Sequence, residues 1–366
     1  MKTNNTLFLG VGISLSAIAL FFAFKNVPFG QLVDYMSSIN YFWMIPSILV
    51  VIIAFILRAL RWQLILKSVH DVSYWRAYHP MMIGFMINCI FPGRVGEVAR
   101  PVILKKNDHV PVSSGLATVA VERVFDVGIL VILFAVMMMT VQVDPGFDMV
   151  FGKYHLNKEM LMTVRGGMVK LIVVLIAGIL IVSTEKFRTM TNRLIIKMPV
   201  LLFFLNESSR GKIKEKICIP FIKMIENFAS GFSLIKYPKE MSICVGLSLA
   251  IWGLSAFSYY ILAIGSPGID LSFMEIFSVM IIVCFFIAIP SVPGFWGIWE
   301  AGGVFALSLF GIPVKEAAGF TLANHVIQIF PVIIMGFVSA LMTGVNIWQV
   351  IKEKEESNIS NANIVR

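Results

Sequence analysis

Two short stretches decide the fold: Pro92-Gly93-Arg94-Val95-Gly96-Glu97 and Pro293-Gly294-Phe295-Trp296-Gly297-Ile298-Trp299-Glu300. Each follows an apolar run, residues 81–91 in the first case and residues 276–289 in the second. Both runs are shorter than the roughly 20 apolar residues that a spanning helix needs. Pro and Gly at the end of such a run indicate a re-entrant hairpin, which is tolerated where protein buries it or where it lines a cavity. The two similar tips therefore predict two related halves.

The composition predicts an integral membrane protein. Of the 366 residues, 58% are hydrophobic and 14% are charged, whereas a soluble domain has about 25% charged residues. The mean hydropathy is +0.86. These values exclude a soluble globular protein. We expect a single polytopic membrane domain over residues 1–352 and a polar, disordered tail over residues 353–366.

Six runs are long and apolar enough to span a bilayer. They cover residues 6–24, 41–57, 127–143 with a start near residue 116, 164–183, 241–264 and 317–345. The predicted fold class is an all-α integral membrane protein with these six spans and two opposed re-entrant hairpins. The first run is longer than the core of a signal peptide, so we interpret it as a retained span.

The distribution of Lys and Arg predicts the orientation. Residues 58–79 and 94–109 carry four each, and residues 184–240 carry eleven against five acids. Residues 265–275 carry none. Because cytoplasmic loops are rich in Lys and Arg, the first three segments are predicted to face the cytoplasm, and both termini lie inside. The location that follows is the inner cell membrane.

This orientation makes the two halves inverted repeats. The first half covers about residues 1–143 and the second about residues 164–352. The hairpins enter from opposite sides, residues 75–106 from the cytoplasm and residues 276–313 from outside. Inverted halves with paired broken helices are the architecture of secondary transporters.

The connector between the halves, residues 184–240, carries much of the net charge of +9. In a membrane protein this excess indicates contact with anionic lipid, and no basic stripe interleaved with aromatic residues favours nucleic acid. Residues 212–236 are amphipathic. A helix on the inner membrane surface and an ordinary connector are both compatible with this pattern.

The densest polar cluster surrounds the first hairpin tip. A half-helix begins after Gly93, and its free N–H groups and dipole, together with two nearby arginines, are suited to bind a phosphate. Glu97 lies three residues from each arginine and could position both. A solvated ladder of charges is the alternative, but the cost of charge at membrane depth favours a substrate site. The candidate binding residues here are Asn88, Gly93, Arg94, Gly96, Glu97 and Arg100.

A second group of charges follows on the next span. Glu122 and Asp126 share one helix face, and Arg123 lies three residues before Asp126. Substrate contact and an ion-pair cluster that pins the span to the hairpin are equally compatible with this spacing.

The second half offers fewer candidates. Glu300 in the outer hairpin could exchange protons, meet an amine or pair with Arg94 across the tips. Asn324 and His325 on the last span are also candidates. Polar residues of this kind usually form hydrogen bonds with neighbouring helices, so a structural role is the more common one.

The sequence indicates no cofactor and no metal site. Its four cysteines have no CxxC spacing, and its five histidines have no metal-ligand spacing. It also lacks P-loop, GxSxG, HExxH and GxGxxG motifs. This argues against ATP-driven transport and against the commoner hydrolases.

The chain resembles the flippase-like membrane domain of lysylphosphatidylglycerol synthases and its stand-alone relatives. The motifs that carry this resemblance are Asn88-x-x-Phe91-Pro92-Gly93-Arg94-Val95-Gly96-Glu97-x-x-Arg100, Ala120-Val121-Glu122-Arg123-x-x-Asp126, Arg58-Ala59-Leu60-Arg61-Trp62, Pro293-Gly294-x-x-Gly297-x-x-Glu300-Ala301 and Gly311-Ile312-Pro313. The resemblance covers essentially the whole chain and implies movement of lipids with modified or glycosylated headgroups between leaflets. No aminoacyltransferase domain follows the bundle, so synthesis of the modified lipid is not implied.

Three functions are therefore compatible with the sequence. The favoured one is a lipid flippase that moves an anionic or headgroup-modified phospholipid, aminoacyl-, polyprenyl- or glycosyl-linked, by alternating access. Its partners would be membrane lipids with phosphate-containing headgroups. A membrane-embedded enzyme acting on a lipid phosphate, with Glu97, Glu122 or Asp126 as base, is the second. A non-transporting membrane scaffold is the third.

Overall fold

The computed structural model describes residues 2–25, 27–92, 94–140, 149–151, 154–156, 184–201, 238–289 and 292–346, with short pieces between residues 167 and 226. In chain order, the helices are α1 (Lys2–Phe24), α2 (Phe29–Ser38), α3 (Met44–Lys67), α4 (Tyr74–Ile90), α5 (Gly96–Asp108), α6 (Val112–Thr140), α7 (Glu185–Leu201), α8 (Pro238–Ile264), α9 (Phe273–Phe286), α10 (Ile298–Ser308) and α11 (Val314–Thr343). Short 3-10 turns at Tyr41–Trp43 and Pro293–Phe295 precede α3 and α10. A π-helical turn covers Lys214–Cys218.

One small sheet departs from the all-α prediction. Strands β1 (Met149–Phe151) and β2 (Tyr154–Leu156) pair antiparallel, with Met149 opposite Leu156. The predicted span at 164–183, most of the amphipathic stretch at 212–236 and the tail at 353–366 lie outside the described residues.

Within the described residues, three helical segments are long and apolar enough to cross a membrane: Tyr41–Lys67, Pro238–Ile264 and Val314–Thr343. A fourth crossing results if the bent pair Ile13–Phe24 and Phe29–Ser38, with an angle of 76° between its helices, forms one span. Since such lengths of apolar helix are stable only in a bilayer or a large core, the chain is a multi-pass membrane protein.

The helix α3 corrects one sequence-based boundary. The charge-free run ends at residue 57, so residues 58–79 were expected to form a cytoplasmic loop. Instead α3 continues to Lys67, and Arg61 is completely buried within it. The prediction ended the helix at the first charged residue. Arg61 can nevertheless lie inside the helix, because carboxylates of a neighbouring helix neutralise its charge.

Both predicted hairpins are helix pairs broken at the Pro-Gly tips. The first pair is α4 and α5, and the second is α9 and α10. The residue after each Pro-Gly has positive φ, 52° at Arg94 and 61° at Phe295. A positive φ is uncommon for a residue other than glycine. The same rare backbone conformation at equivalent positions supports the repeat more strongly than the shared letters do.

The helices of the two halves pack reciprocally. The first helix of each pair lies against the last long helix of the other half: α4 packs on α11, and α9 packs on α6. The equivalent helices α3 and α8 pack on each other, where the buried hydroxyls of Ser47 and Ser258 lie 2.9 Å apart. Gly336 lets α11 approach α4 closely, because a Cβ there would overlap Met86. This exchange of partners brings both hairpin tips to the centre of the bundle.

Candidate functional site

A cluster of charged side chains joins α3, α5 and α6, and Glu122 lies at its centre. The Glu122 carboxylate is completely buried and accepts hydrogen bonds from Arg100 at 2.9 Å and from Arg123 at 2.8 Å. Arg61 of α3 lies 3.6 Å from the same carboxylate. A buried charge is costly unless it is paired, and here one carboxylate meets guanidinium groups from three helices.

Asp126 completes the pairing one turn further along α6. Its carboxylate forms an ion pair with Arg61 at 2.8 Å and lies 3.5 Å from Arg123. Arg61 also donates a hydrogen bond to the Ser248 hydroxyl of α8 at 2.8 Å. The cluster thus links the second half to the first.

Arg123 reaches a third carboxylate, Glu97 at the start of α5, at 3.8 Å. With this contact the cluster contains three arginines and three carboxylates, and its formal charges balance. We call this group the charge cluster: Arg61, Glu97, Arg100, Glu122, Arg123 and Asp126. Among the two sequence-based interpretations of Glu122 and Asp126, the ion-pair cluster is the one that the contacts show.

The half-helix α5 does not offer free N–H groups, and that prediction is wrong. The Gly96 N–H donates to the Asn88 side chain at 2.7 Å, and the Glu97 N–H donates to the Arg94 carbonyl at 3.1 Å. Gly96 can sit there because it touches the backbone of Gly84, where a Cβ would overlap the carbonyl. Asn88 and Gly96 therefore build the hairpin tip.

Arg100 also lies away from any open space. Its guanidinium is completely buried over the rings of Phe85 at 4.3 Å and Trp62 at 5.5 Å. Glu97 contacts Arg123 and not, as the spacing suggested, Arg94 or Arg100. Arg100 thus holds α5 against α6 through Glu122. Gly93 lies outside the described residues.

A cavity of about 220 Å³ lies between the two hairpins. Its lining comes from both halves, including α3, α6, α8, α9 and α11. Large aromatic side chains form much of the wall, among them Trp252 and Trp299. The charged groups that line it are Arg58, Arg94, Glu97 and Arg123. Three arginines against one carboxylate make this central cavity electropositive.

Arg58 belongs to a motif that carries the family resemblance, but it was not among the candidate binding residues predicted from the sequence. Its guanidinium lies over the rings of Trp252 at 5.0 Å and Phe55 at 5.6 Å. No carboxylate forms an ion pair with it in the part of the chain that the structure describes. The sequence signal that could have identified Arg58 is its position next to a long apolar run, because ionisable residues at membrane depth mark substrate paths. Arg58 was overlooked because it follows directly after the end of the charge-free run.

Arg94 connects the two hairpins. Its guanidinium donates to the carbonyl of Ile287, at the end of α9, at 2.9 Å. The pair between Arg94 and Glu300, one of the three possibilities that the sequence left open for Glu300, is not formed. The tips also meet at Gly294, where a Cβ would lie 3.3 Å from the Cys89 carbonyl.

Glu300 pairs with His325 instead, and both side chains are completely buried. His325 Nδ1 lies 2.5 Å from the carboxylate, and its Nε2 lies 2.8 Å from the Gly294 carbonyl. The other carboxylate oxygen accepts the Gly297 N–H at 2.6 Å. Because a carbonyl can only accept, Nε2 is the donor in its hydrogen bond to Gly294.

Tryptophan rings enclose this buried pair. The ring of Trp299 stacks on His325 with centroids 4.4 Å apart and an angle of 5°, and the ring centroid of Trp296 lies 4.3 Å from that of His325. Asn324 is also buried but does not line the central cavity. The Glu300–His325 pair thus holds the second hairpin to α11.

Sequence comparisons agree with this architecture. Residues 7–336 match the family described as the lysylphosphatidylglycerol synthase TM region. This chain belongs to that family. A UPF0104 membrane protein of Methanothermobacter thermautotrophicus is 24% identical to this chain, and the match covers 92% of this chain and 92% of that relative. A UPF0104 membrane protein of Methanocaldococcus jannaschii is 23% identical over 68% of this chain and 91% of its own.

A third relative, the glycosyltransferase AglD of Haloferax volcanii, is 22% identical over 94% of this family member. The match covers 56% of that relative, so this chain spans about half its length. No solved structure matches the chain. Membership of the family indicates a role connected with membrane lipids.

Proposed function

We propose that this protein moves a phosphate-bearing lipid between the leaflets of the inner cell membrane by alternating access. The observation that carries the proposal is the electropositive cavity between the two broken helix pairs. Guanidinium groups bind phosphate oxygens through charge-assisted, often bidentate hydrogen bonds. A phosphate headgroup fits the excess of arginine over carboxylate, and the lipid tails would stay in the bilayer.

Arg58 and Arg94 are the proposed ligands of the phosphate within the central cavity. Arg58 forms no ion pair with a carboxylate among the described residues, so an anion can bind it without displacing one. Arg94 is exposed, and its guanidinium donates a hydrogen bond to the uncharged carbonyl of Ile287. Both groups can therefore bind a phosphate without breaking a buried ion pair.

Alternating access requires that the hairpins separate on one side at a time. The Arg94 contact to Ile287 is a single hydrogen bond between the tips, and a bound phosphate can replace it. We propose that the helix pairs are re-entrant and enter from opposite sides, within six spans and with both termini cytoplasmic. The matching tip conformations at Arg94 and Phe295 support this inverted arrangement.

The modified headgroup remains part of the proposal. One relative is named a glycosyltransferase, and the part it shares is nearly the whole of this chain. A lipid phosphate that carries a sugar or an amino acid is therefore the proposed substrate class. Aromatic rings such as Trp252 and Trp299, which line the cavity, are suited to contact the larger headgroup.

The test is transport in liposomes. Purified protein should speed the transbilayer movement of a fluorescent anionic phospholipid, measured by loss of signal to a membrane-impermeant quencher. Arg58→Gln should lower the rate about tenfold or more, since a hydrogen bond between charged groups contributes about 1.5–3 kcal/mol. Arg76→Gln is the matched control, because Arg76 is exposed, pairs with Asp108 and does not line the central cavity. Equal rates for the Arg58 and Arg76 variants would refute the site.

An enzyme that acts on a lipid phosphate is the second candidate, favoured by the name of the glycosyltransferase relative. Glu97 is the one carboxylate among the described lining residues of the central cavity, so it would be the base. Purified protein incubated with lipid phosphates and nucleotide sugars should then form a new product, detected by mass spectrometry. An unchanged lipid pool alongside rapid transbilayer movement would favour the transporter.

A further inference from the structure

A second open space runs along the outside of α5 and α6. This lateral groove has a volume of about 450 Å³. Its walls are almost entirely apolar, and charge occurs only where Glu97 and Arg123 line it. The apolar residues of the groove are Val98, Leu116, Val119, Ala120, Val124 and Val127.

The groove faces outward from the bundle. Leu116 is 38% exposed and Val127 is 45% exposed, although both are aliphatic. In a membrane protein, exposed aliphatic side chains on a long apolar helix face lipid tails. Hydrocarbon chains of the bilayer therefore have direct access to the groove.

Glu97 and Arg123 line both the lateral groove and the central cavity. Their ion pair is thus the partition between an apolar space open to lipid and an electropositive space inside the bundle. Both side chains are partly exposed, at 26% and 31%. An ion pair that remains solvated is weak and opens at little cost.

Arg123 would stay in place if this pair opened. Its contacts to Glu122 at 2.8 Å and to Asp126 at 3.5 Å are both shorter than the 3.8 Å to Glu97. Glu97 has no other ion-pair partner in the described parts of the chain. The glutamate is therefore the mobile half of the partition, and the arginine is the fixed half.

We infer that the lateral groove binds one hydrocarbon chain of the transported lipid, and that the Glu97–Arg123 pair is the gate through which its headgroup enters. This inference rests on the proposed function and specifies the route of the substrate. A phosphate at the end of the groove replaces Glu97 as the partner of Arg123. The headgroup then reaches Arg58 in the central cavity, while the chain stays in the groove, continuous with the bilayer.

The occupant must combine an anionic head with an apolar chain. The apolar wall binds hydrocarbon, and the single accessible cation at its end binds phosphate. A neutral lipid would satisfy only the first requirement. An acyl chain and an isoprenoid chain share the chemistry that the groove recognises.

Photo-crosslinking in vesicles tests the inference without requiring transport. Two probes carry the same diazirine-bearing acyl chain, one as phosphatidylglycerol and the other as diacylglycerol. We expect the phosphate probe to label residues 116–127 about tenfold more than the neutral probe, as mapped by mass spectrometry. Equal labelling by both probes would overturn the inference.

Variants on α6 provide the matched comparison. Ala120→Trp fills the groove and should lower labelling by the phosphate probe to the level of the neutral probe. Ala120→Leu fills it partly and should have an intermediate effect, which covers the case in which Ala120→Trp fails to fold. Ile132→Trp is the control, because Ile132 is 51% exposed on the same helix and lines neither space. Labelling that Ala120→Trp and Ile132→Trp change equally would also overturn the inference.

Transport measurements on the same samples separate this inference from the proposed function. Specific labelling by a protein that moves no lipid would refute the flippase and leave the groove as a lipid site. Normal transport by Ala120→Trp with unchanged labelling would refute the groove and leave the flippase.

Discussion

The two broken helix pairs place a glutamate at the same point and pair it in opposite ways. Glu97 begins α5 and meets Arg123 of α6 at 3.8 Å with both groups partly exposed. Glu300 lies in the first turn of α10 and meets His325 of α11 at 2.5 Å with both groups buried. The number of residues between the glutamate and its partner is nearly the same in both cases. One skeleton therefore carries one loose contact and one tight contact.

The surroundings explain the difference. Trp296 and Trp299 exclude water from the pair in the second half, so its hydrogen bonds are not screened. In the first half, the Glu97–Arg123 pair lies between two open spaces, and both side chains are partly exposed. The comparison teaches that the second hairpin is fastened to its long helix, whereas the tip of the first can change partners.

The largest expected effect comes from removing the buried anchor of the first hairpin. Glu122→Ala leaves Arg100 buried without its carboxylate, and removes a partner of Arg61 and Arg123. Breaking a buried pair in this way costs about 3–5 kcal/mol. The unfolding temperature in detergent, followed by intrinsic tryptophan fluorescence, should fall markedly. A variant as stable as the wild type would show that the first hairpin has no buried anchor.

His325→Ala should be nearly as destabilising, because it removes the anchor of the second hairpin. The Glu300 carboxylate and the Gly294 carbonyl would each lose a partner inside the bundle, at a cost of about 2–4 kcal/mol. The same unfolding measurement applies, with His70→Ala as the control, since His70 is exposed in a loop. Similar losses in the Glu122 and His325 variants would show that both hairpins are anchored and differ only at their tips.

Gly297→Ala should have a moderate effect on the second tip. Gly297 has a φ of 88°, and a Cβ there would overlap the Ser16 carbonyl of α1. Strain of this kind costs about 1–3 kcal/mol. Gly246→Ala on α8 is the control, because a Cβ there meets open space. If both alanine variants unfold at the same temperature, the tip is not held against α1 as tightly as the contact indicates.

The smallest effect on stability is expected for Glu97→Gln. A partly exposed ion pair contributes about 0–1 kcal/mol, so the unfolding temperature should change by no more than a few degrees. The rate of lipid movement in liposomes should nevertheless change, because Arg123 no longer has the negative charge of Glu97 as its partner. A loss of stability as large as that of His325→Ala would erase the distinction between the two glutamates.

Much of the site was accessible from sequence because it depends on local patterns. The Pro-Gly tips predicted both broken helix pairs, and the spacing of Glu122 and Asp126 predicted an ion-pair cluster as one alternative. The sequence did not reveal which charges meet. Arg123 has three carboxylates within reach, and the packing of α5 on α6 decides how close each of them lies. The partner of the Gly96 N–H was also unpredictable, since Asn88 reaches it from α4.

The sequence by itself determined the membrane class, the two broken helix pairs and the family, because apolar run length, Pro-Gly breaks and motif spacing are properties of neighbours along the chain. Only the tertiary structure decided that Arg58 faces the central cavity, that Arg100 supports α5, and that Glu300 pairs with His325. Those outcomes depend on which helices pack together and how closely. A buried charge takes the partner that packing brings within reach, and that partner can lie on any helix of the bundle.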